Sequence, residues 1–225
     1  MKSLQQHIYE NNFHKNEISE KLIINKNTQN IDDCFIYNIS EKQSIKIFSN
    51  GWAQFNDYRN KVYINGEHIE LDYKGFTHKK YIPGEYEIKI EDINAVENCD
   101  HMFWKCYNLT KVPLFDTRKV ESMITMFYEC FNLTEVPLFD TRNVKDMRSM
   151  FGRCNNLTEV PLFDTRNVES MHQMFCECGN LTQVPLFDTR KVITMATMFY
   201  GCKKLNKQTK QKWSQIYDFQ SHNKK

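Results

Sequence analysis

The sequence predicts a repeat solenoid, and two observations carry that prediction. The phrase PLFDTRKVESMITMFYECFNLTEV, Pro113 to Val136, returns as PLFDTRNVKDMRSMFGRCNNLTEV from Pro137 and as PLFDTRNVESMHQMFCECGNLTQV from Pro161. A fourth copy starts at Pro185 and keeps the pattern to Leu205, and the step from copy to copy is constant, with no insertion. A fixed period of this length means stacked supersecondary units, each unable to bury its apolar face alone. The second observation is columnar identity. Val96, Met102, Phe103, Cys106 and Leu109 each recur at steps of one period through all five copies, which extends the repeat back to a degenerate first copy from about Lys89 to Val112. Each such residue is expected to stack on its own kind.

Within a copy, Leu109-x-x-Val112-x-Leu114 has the L-x-x-L-x-L form of a leucine-rich-repeat strand. Period-two spacing sends Val112 and Leu114 to one face and Pro113 and Phe115 to the other. Val120, Met123, Met126 and Phe127 follow at the three-to-four spacing of a helical or tightly turning return. The expected class is therefore a leucine-rich-repeat-like, mixed α/β solenoid with a small N-terminal antiparallel β unit and a C-terminal capping helix.

In chain order, residues 1–39 read as a polar, Asn-rich extension. Leu4, Ile8, Ile18 and Leu22 mark one or two short helices, and Cys34 to Tyr37 begin a first strand. Residues 40–92 read as the β unit, acting as N-terminal cap. Ile45 and Ile47 alternate with polar neighbours, and Asn50-Gly51 is a turn. Val62 and Ile64 precede the hairpin turn Asn65-Gly66, with Ile69 and Leu71 beyond it. Tyr86, Ile88 and Ile90 alternate after Pro83-Gly84, one period before Val112 and Leu114, which makes this last strand the expected first rung of the solenoid. The coils occupy residues 93–205. In 206–225, Leu205, Thr209, Trp213, Ile216 and Tyr217 share a helical face and predict a helix laid over the last coil, ending in a tail.

The pattern V-x-x-M-x-x-M-F-x-x-C-x-x-L-T-x-V-P-x-F-D-T resembles the BspA-like leucine-rich-repeat family of bacterial surface proteins, in its 24-residue variant. The resemblance covers about Lys89 to Leu205. It implies a curved solenoid without catalysis, displayed outside the cell and associated with adhesion.

Composition narrows the function classes. With 40% hydrophobic residues and only seven glycines the chain is neither disordered nor fibrous. A net charge of +2 gives no argument for nucleic acid or an anionic membrane. No apolar run has the length of a membrane span. The stretch MKSLQQHIYENNFHKNEISEK lacks an apolar core and a cleavage site, so it does not read as a secretory signal. The default expectation is cytoplasmic; the resemblance supplies the alternative, the cell surface. Five of the eight cysteines belong to one ladder, which reads as packing in a reducing compartment.

No nucleophile elbow, P-loop, dinucleotide fingerprint or H-E-x-x-H motif is present, so no enzyme, cofactor or metal is expected. Asp92, Asp116, Asp140, Asp164 and Asp188 stand at one corner, with an arginine two residues after each of the last four. A calcium or anion site is one reading. Turn-holding carboxylates paired with Arg118, Arg142, Arg166 and Arg190, in their own or the adjacent coil, is the favoured one. Pro113, Pro137, Pro161 and Pro185 lack an N–H, so they must sit where a ladder does not need one or the strand is short.

The expected function is a protein-interaction module with a rigid surface. The alternatives are a BspA-like adhesin and a purely structural protein. Three columns are candidates for contacting a protein partner. Phe115, Phe139, Phe163 and Phe187 alternate away from the core, either as an exposed stripe of rings at ~4.8 Å spacing or folded into the corner. Lys111, Glu135, Glu159 and Gln183 share an outward strand column whose chemistry varies, and Ile124, Arg148, His172 and Ala196 share another on the return segment.

Overall fold

The computed structural model describes residues 34–49, 52 and 61–223, with main chain alone at 95 and 217–223. The expected helices at Leu4 to Leu22, the Asn50-Gly51 turn and the side chain of Tyr217 lie outside the described residues.

Strands form where short alternating runs meet turn residues. β1 (Phe35–Ile39), β2 (Val62–Ile64), β3 (Glu67–Ile69), β4 (Gly84–Ile90) and β5 (Leu109–Lys111) make one antiparallel sheet in the order β3-β2-β4-β1-β5. Asn65 and Gly66, at φ 48° and 83°, close the β2–β3 hairpin with the two left-handed residues that such a tight turn demands. Phe35, Tyr37 and Ile39 of β1, with Val62, Ile64, Ile88 and Ile90, are buried on one face. Ile45 and Ile47 are also buried, but their segment meets its neighbours through isolated bridges, Gln43 to Tyr81 and Lys46 to Phe76.

The expected fold class is corrected here. Among the described residues, the regular secondary structure is this single five-stranded antiparallel sheet, one 3-10 turn (Ile93–Ala95) and one C-terminal helix, α1 (Lys207–Asn223). Among the described residues, the copies build neither the parallel strand rungs nor the helical returns of a leucine-rich-repeat solenoid. β4 is not a first rung either: it lies between β2 and β1, both antiparallel to it. The one strand inside a copy, β5, forms its strand ladder with β1; the next copy reaches it by a single main-chain bond, Thr134 N to Thr110 O at 3.0 Å.

Main-chain geometry gives the reason. Thr182 donates its N–H to Thr158 O at 2.9 Å, and its own carbonyl accepts from Asn206 N at 2.8 Å. A strand residue aims both groups at one neighbour; Thr182 aims them at opposite neighbours. The return segment is a run of tight turns. Met123, Thr125, Phe127 and Glu129 give their N–H groups to Asp146, Arg148, Met150 and Gly152 of the next copy at 2.8–2.9 Å. Between them Met126, Tyr128 and Cys130 donate three residues back within their own copy. Isolated parallel bridges join Ser122, Asp146, Ser170 and Thr194.

The interior is columnar. Phe103, Phe127, Phe151, Phe175 and Phe199 stack with ring centroids 5.6–5.8 Å apart and planes within 8°. Phe35 and Phe48 meet this spine at Phe103, 5.2 and 5.9 Å away. Trp213 of α1 meets the other end edge-on, 5.5 Å from Phe199 and 5.9 Å from Phe187. Asn206 caps α1, its Oδ1 accepting from Thr209 N at 2.7 Å. Leu205, Thr209, Trp213 and Ile216 are buried beneath the helix, while Lys207, Lys210 and Lys212 are exposed.

Candidate functional site

Two residues of every copy take a left-handed backbone, and this shapes the surface. His101, Thr125, Ser149, Gln173 and Thr197 form one such column at φ 49–59°; Lys105, Glu129, Arg153, Glu177 and Gly201 form the other at φ 60–75°. Nine of these ten are not glycine, although the left-handed region disfavours a Cβ. Each N–H of the first column above Thr197 reaches into the next copy, so the conformation serves the ladder.

The first column lines a cleft of about 900 Å³ that crosses four copies, from His101 to Gln173. Trp104 and Tyr128 supply its aromatic surface, and Ser49, Trp52, Asn98 and Asp100 its N-terminal end. Trp52 is fixed by donating Nε1–H to Asn98 O at 2.9 Å. Asp100 ties two copies together, its Oδ1 accepting from Ser122 Oγ at 2.6 Å and Ile124 N at 2.8 Å. His101 Nδ1 and Thr125 Oγ1 are hydrogen-bonded. Cations flank the aromatics: Lys105 Nζ lies 4.6 Å and Lys46 Nζ 5.7 Å from the Trp104 ring, and Arg153 5.9 Å from Tyr128. Tyr128 lies over Gly152, where a Cβ would come within 2.7 Å of the ring. Burial raises the Tyr128 hydroxyl pKa against the opposing pull of Arg153.

The phenylalanine candidates are a correction. Phe115, Phe139, Phe163 and Phe187 are 2–3% exposed; the last three pack against the central spine and Phe115 against Phe35 and Phe139, so they present no stripe to a partner. Strand alternation fails after Pro137 and Pro161 because the chain turns. Phe139 N donates to Pro137 O, and Phe163 N to Pro161 O, both at 3.0 Å. This two-residue turn swings the phenylalanine inward and the leucine before it outward. Leu114 is 58% exposed, and Leu138, Leu162 and Leu186 are half-buried.

The charged candidates are on the surface, with Glu135, Glu159 and Gln183 exposed and Lys111 half-buried. They pair two by two. Lys111 Nζ lies 3.5 Å from Glu135 Oε1, and Gln183 Nε2 donates to Glu159 Oε2 at 2.6 Å. None of them lines the cleft. In the return-segment column, Arg148 pairs with Asp146 at 2.8 Å.

The corner carboxylates bind arginine within their own copy. Arg118, Arg142, Arg166 and Arg190 reach Asp116, Asp140, Asp164 and Asp188 at 2.6–2.9 Å. Asp92 instead meets Lys61 at 3.0 Å. The main-chain carbonyls of Asp140, Asp164 and Asp188 accept from Thr117, Thr141 and Thr165 of the copy before, each at 2.9 Å. No group of three or more His, Cys, Asp or Glu placed to hold a metal ion exists among the described residues. The ladder thiols are buried, and burial pushes Cys106 up to about 12 and Cys202 up to about 11.

Sequence reasoning missed the left-handed columns and therefore the cleft. The signal was slight: Gly201 stands in the column that elsewhere holds Lys105, Glu129, Arg153 and Glu177.

The chain matches the family described as "Mycoplasma protein of unknown function, DUF285", over residues 75–183 and again over residues 126–223. It belongs to this family. The two matches overlap and together take in β4, every repeated copy and α1. Among curated proteins and among solved structures, none matches. No helix of the described residues is long and apolar enough to cross a membrane.

Proposed function

We propose that the chain is a non-enzymatic protein-interaction module whose cleft, crossing four copies from His101 to Gln173, receives a protein partner. One observation carries this reading. The buried columns repeat identically, whereas the cleft places different groups in successive copies: Asp100 and His101, then Thr125, Ser149 and Gln173, beside Trp104 and Tyr128. Recognition needs non-repeating chemistry on a fixed frame, and a preformed surface binds at little ordering cost. The two aromatics, flanked by cations, have the character of interface anchors. The column of Lys111, Glu135, Glu159 and Gln183 is the competing surface.

The test is capture of partners from the producing cells on the full chain, its Trp104→Ala variant and its Glu135→Lys/Glu159→Lys variant. The cleft reading expects a partner set retained by the charge-reversal variant and lost by Trp104→Ala. The reverse pattern moves the interface to the charged column. A set unchanged by both removes both surfaces.

A second reading follows from the BspA-like character of the repeated phrase: a surface adhesin whose partner lies outside the cell. Protease treatment of intact cells tests it. Release of repeat peptides while an internal marker stays protected supports display; full protection until lysis rejects it.

A further inference from the structure

Among the described residues, the last copy ends the hydrogen-bond ladder with its donors unused. In the copy before it, Met171, Gln173, Phe175 and Glu177 give their N–H groups to the carbonyls of Thr194, Ala196, Met198 and Tyr200 at 2.6–3.1 Å. One period on, the corresponding donors are Met195, Thr197, Phe199 and Gly201, and no acceptor among the described residues takes their N–H groups. The opposite end of the ladder is sealed. Met102 O accepts from Ser49 N at 2.9 Å, and Trp104 O accepts from Lys46 Nζ at 3.0 Å. Main-chain donors left open in a row form a template for another polypeptide.

Three further observations converge on the same edge. A cleft of about 590 Å³ between the last copy and α1 is lined by Met195, Thr197 and Phe199 together with Lys210 and Trp213. Trp213 is only 4% exposed, yet its Nε1–H has no hydrogen-bond partner among the described residues. Tyr200 is 66% exposed, whereas Tyr128, in the same column of an interior copy, is partly covered where it lies over Gly152. The cleft offers donors and a cation, and no carboxylate lines it among the described residues.

We propose that this edge docks a polypeptide segment of a partner, one that presents backbone carbonyls at alternate residues and a carboxylate to Lys210. The occupant is not a second copy of this chain. Two such edges would face donor to donor, and the carbonyl end that could continue the ladder is already occupied by Ser49 and Lys46. The site is separate from the larger cleft at Trp104 and Tyr128 and does not depend on it.

The probe is a synthetic peptide of residues 143–160, labelled and offered to the full chain. Its Asp146, Arg148, Met150 and Gly152 carbonyls already accept the equivalent donors of an interior copy, and it carries the carboxylates of Asp146 and Glu159. Anisotropy should report binding, and amide hydrogen exchange should slow at Met195, Thr197, Phe199 and Gly201. Lys210→Glu, a change at an exposed position, should weaken binding about tenfold, as expected for reversing one charge-assisted contact. Trp213→Phe should weaken it severalfold, and Trp104→Ala should leave it unchanged, which separates this edge from the proposed interaction cleft. Absence of binding, equal binding of a scrambled peptide, or binding without protection of those four amides overturns the proposal. Sedimentation showing that the chain alone closes the edge with a second copy overturns it as well.

Discussion

Replacing Phe151 by alanine tests the columnar core most directly. Its ring is fully buried and meets Phe127 at 5.6 Å, Phe175 at 5.7 Å and Phe163 at 6.1 Å. Loss of a buried phenylalanine costs about 3–5 kcal/mol in transfer and cavity terms. Each aromatic pair adds about 0.5–1.5 kcal/mol beyond area. With three pairs lost, the cost sits at the upper end, about 5 kcal/mol, against a whole-domain stability of about 5–15 kcal/mol. Phe199, the last ring of the same spine, is only half-buried and has two ring neighbours, Phe175 at 5.8 Å and Trp213 at 5.5 Å. Phe199→Ala should therefore cost about half as much, about 2–3 kcal/mol. Phe151→Leu keeps most of the volume and should cost about 1–1.5 kcal/mol. Urea unfolding of the full chain, followed by tryptophan fluorescence, gives the three values on one scale. If Phe151→Ala were no more costly than Phe199→Ala, the spine would not be a continuous stack, and the account of the core would fail.

Three other outcomes follow from the same geometry. Hydrogen bonds from Arg118 hold the Asp116 carboxyl down at about 2; at Asp188 burial pushes the carboxyl up, but the hydrogen bonds of Arg190 and the charges of Arg190 and Arg166 together lower it. A lowered folded pKa gives stability that is complete above the ordinary carboxylate range and is lost as pH falls through the folded value. With guanidiniums this exposed, solvent screening keeps each pair's contribution small; Asp116→Asn should flatten the acid limb of a pH–stability curve, and an unaltered limb would set the pair aside. Alkylation of the native chain at mildly alkaline pH should modify the half-buried Cys34 and Cys176 and spare the buried Cys130, Cys154 and Cys178, which peptide mapping would contradict if Cys154 reacted as fast as in urea. Ser149 holds φ 52°, so Ser149→Gly should be tolerated while Ser149→Val should lower stability by about 1–2 kcal/mol, and equal midpoints would refute the role assigned to the left-handed column.

The sequence made the period, the buried columns and the hairpin legible because these depend on local rules. Identity at steps of one period located the Val, Met, Phe, Cys and Leu columns, all buried apart from the half-buried terminal Phe199. Alternation and Asn65-Gly66 located β2 and β3. The secondary structure inside a copy was not legible. L-x-x-V-x-L fits a strand and V-x-x-M-x-x-M-F fits a helical return, yet both fit turns equally well, because a turn with bonds three residues back also buries every third or fourth side chain. The choice rests on left-handed residues at Thr125 and Glu129, and neither type announces that conformation. The outward phenylalanine stripe failed for a related reason. The turn at Pro137 and Leu138 inverts the alternation, so a leucine takes the exposed place.

The cysteine ladder shows why the interior columns are so uniform. Cys130, Cys154, Cys178 and Cys202 each donate their thiol hydrogen to the carbonyl of the phenylalanine 27 residues earlier, at 2.9–3.1 Å. In all four of these phenylalanines, Phe103, Phe127, Phe151 and Phe175, that carbonyl already accepts the main-chain N–H of the cysteine in its own copy, so the sulfur is at once a filler and a second donor. Alanine would leave a void and drop the second bond; a larger apolar residue would press on a neighbouring column whose rings already stand only 5.6–5.8 Å apart. The same reasoning applies to Thr117, Thr141 and Thr165, whose hydroxyls each tie a copy to the Asp carbonyl of the next. Positions bound by both packing and hydrogen bonding cannot vary without cost. Apart from buried Cys99, which stands where later copies hold methionine, variation is concentrated in columns that face solvent, and the column of His101, Thr125, Ser149 and Gln173 combines free variation with a concave, aromatic-lined surface. That coincidence is the physical reason for seeking recognition in the cleft, and not along the nearly uniform corners.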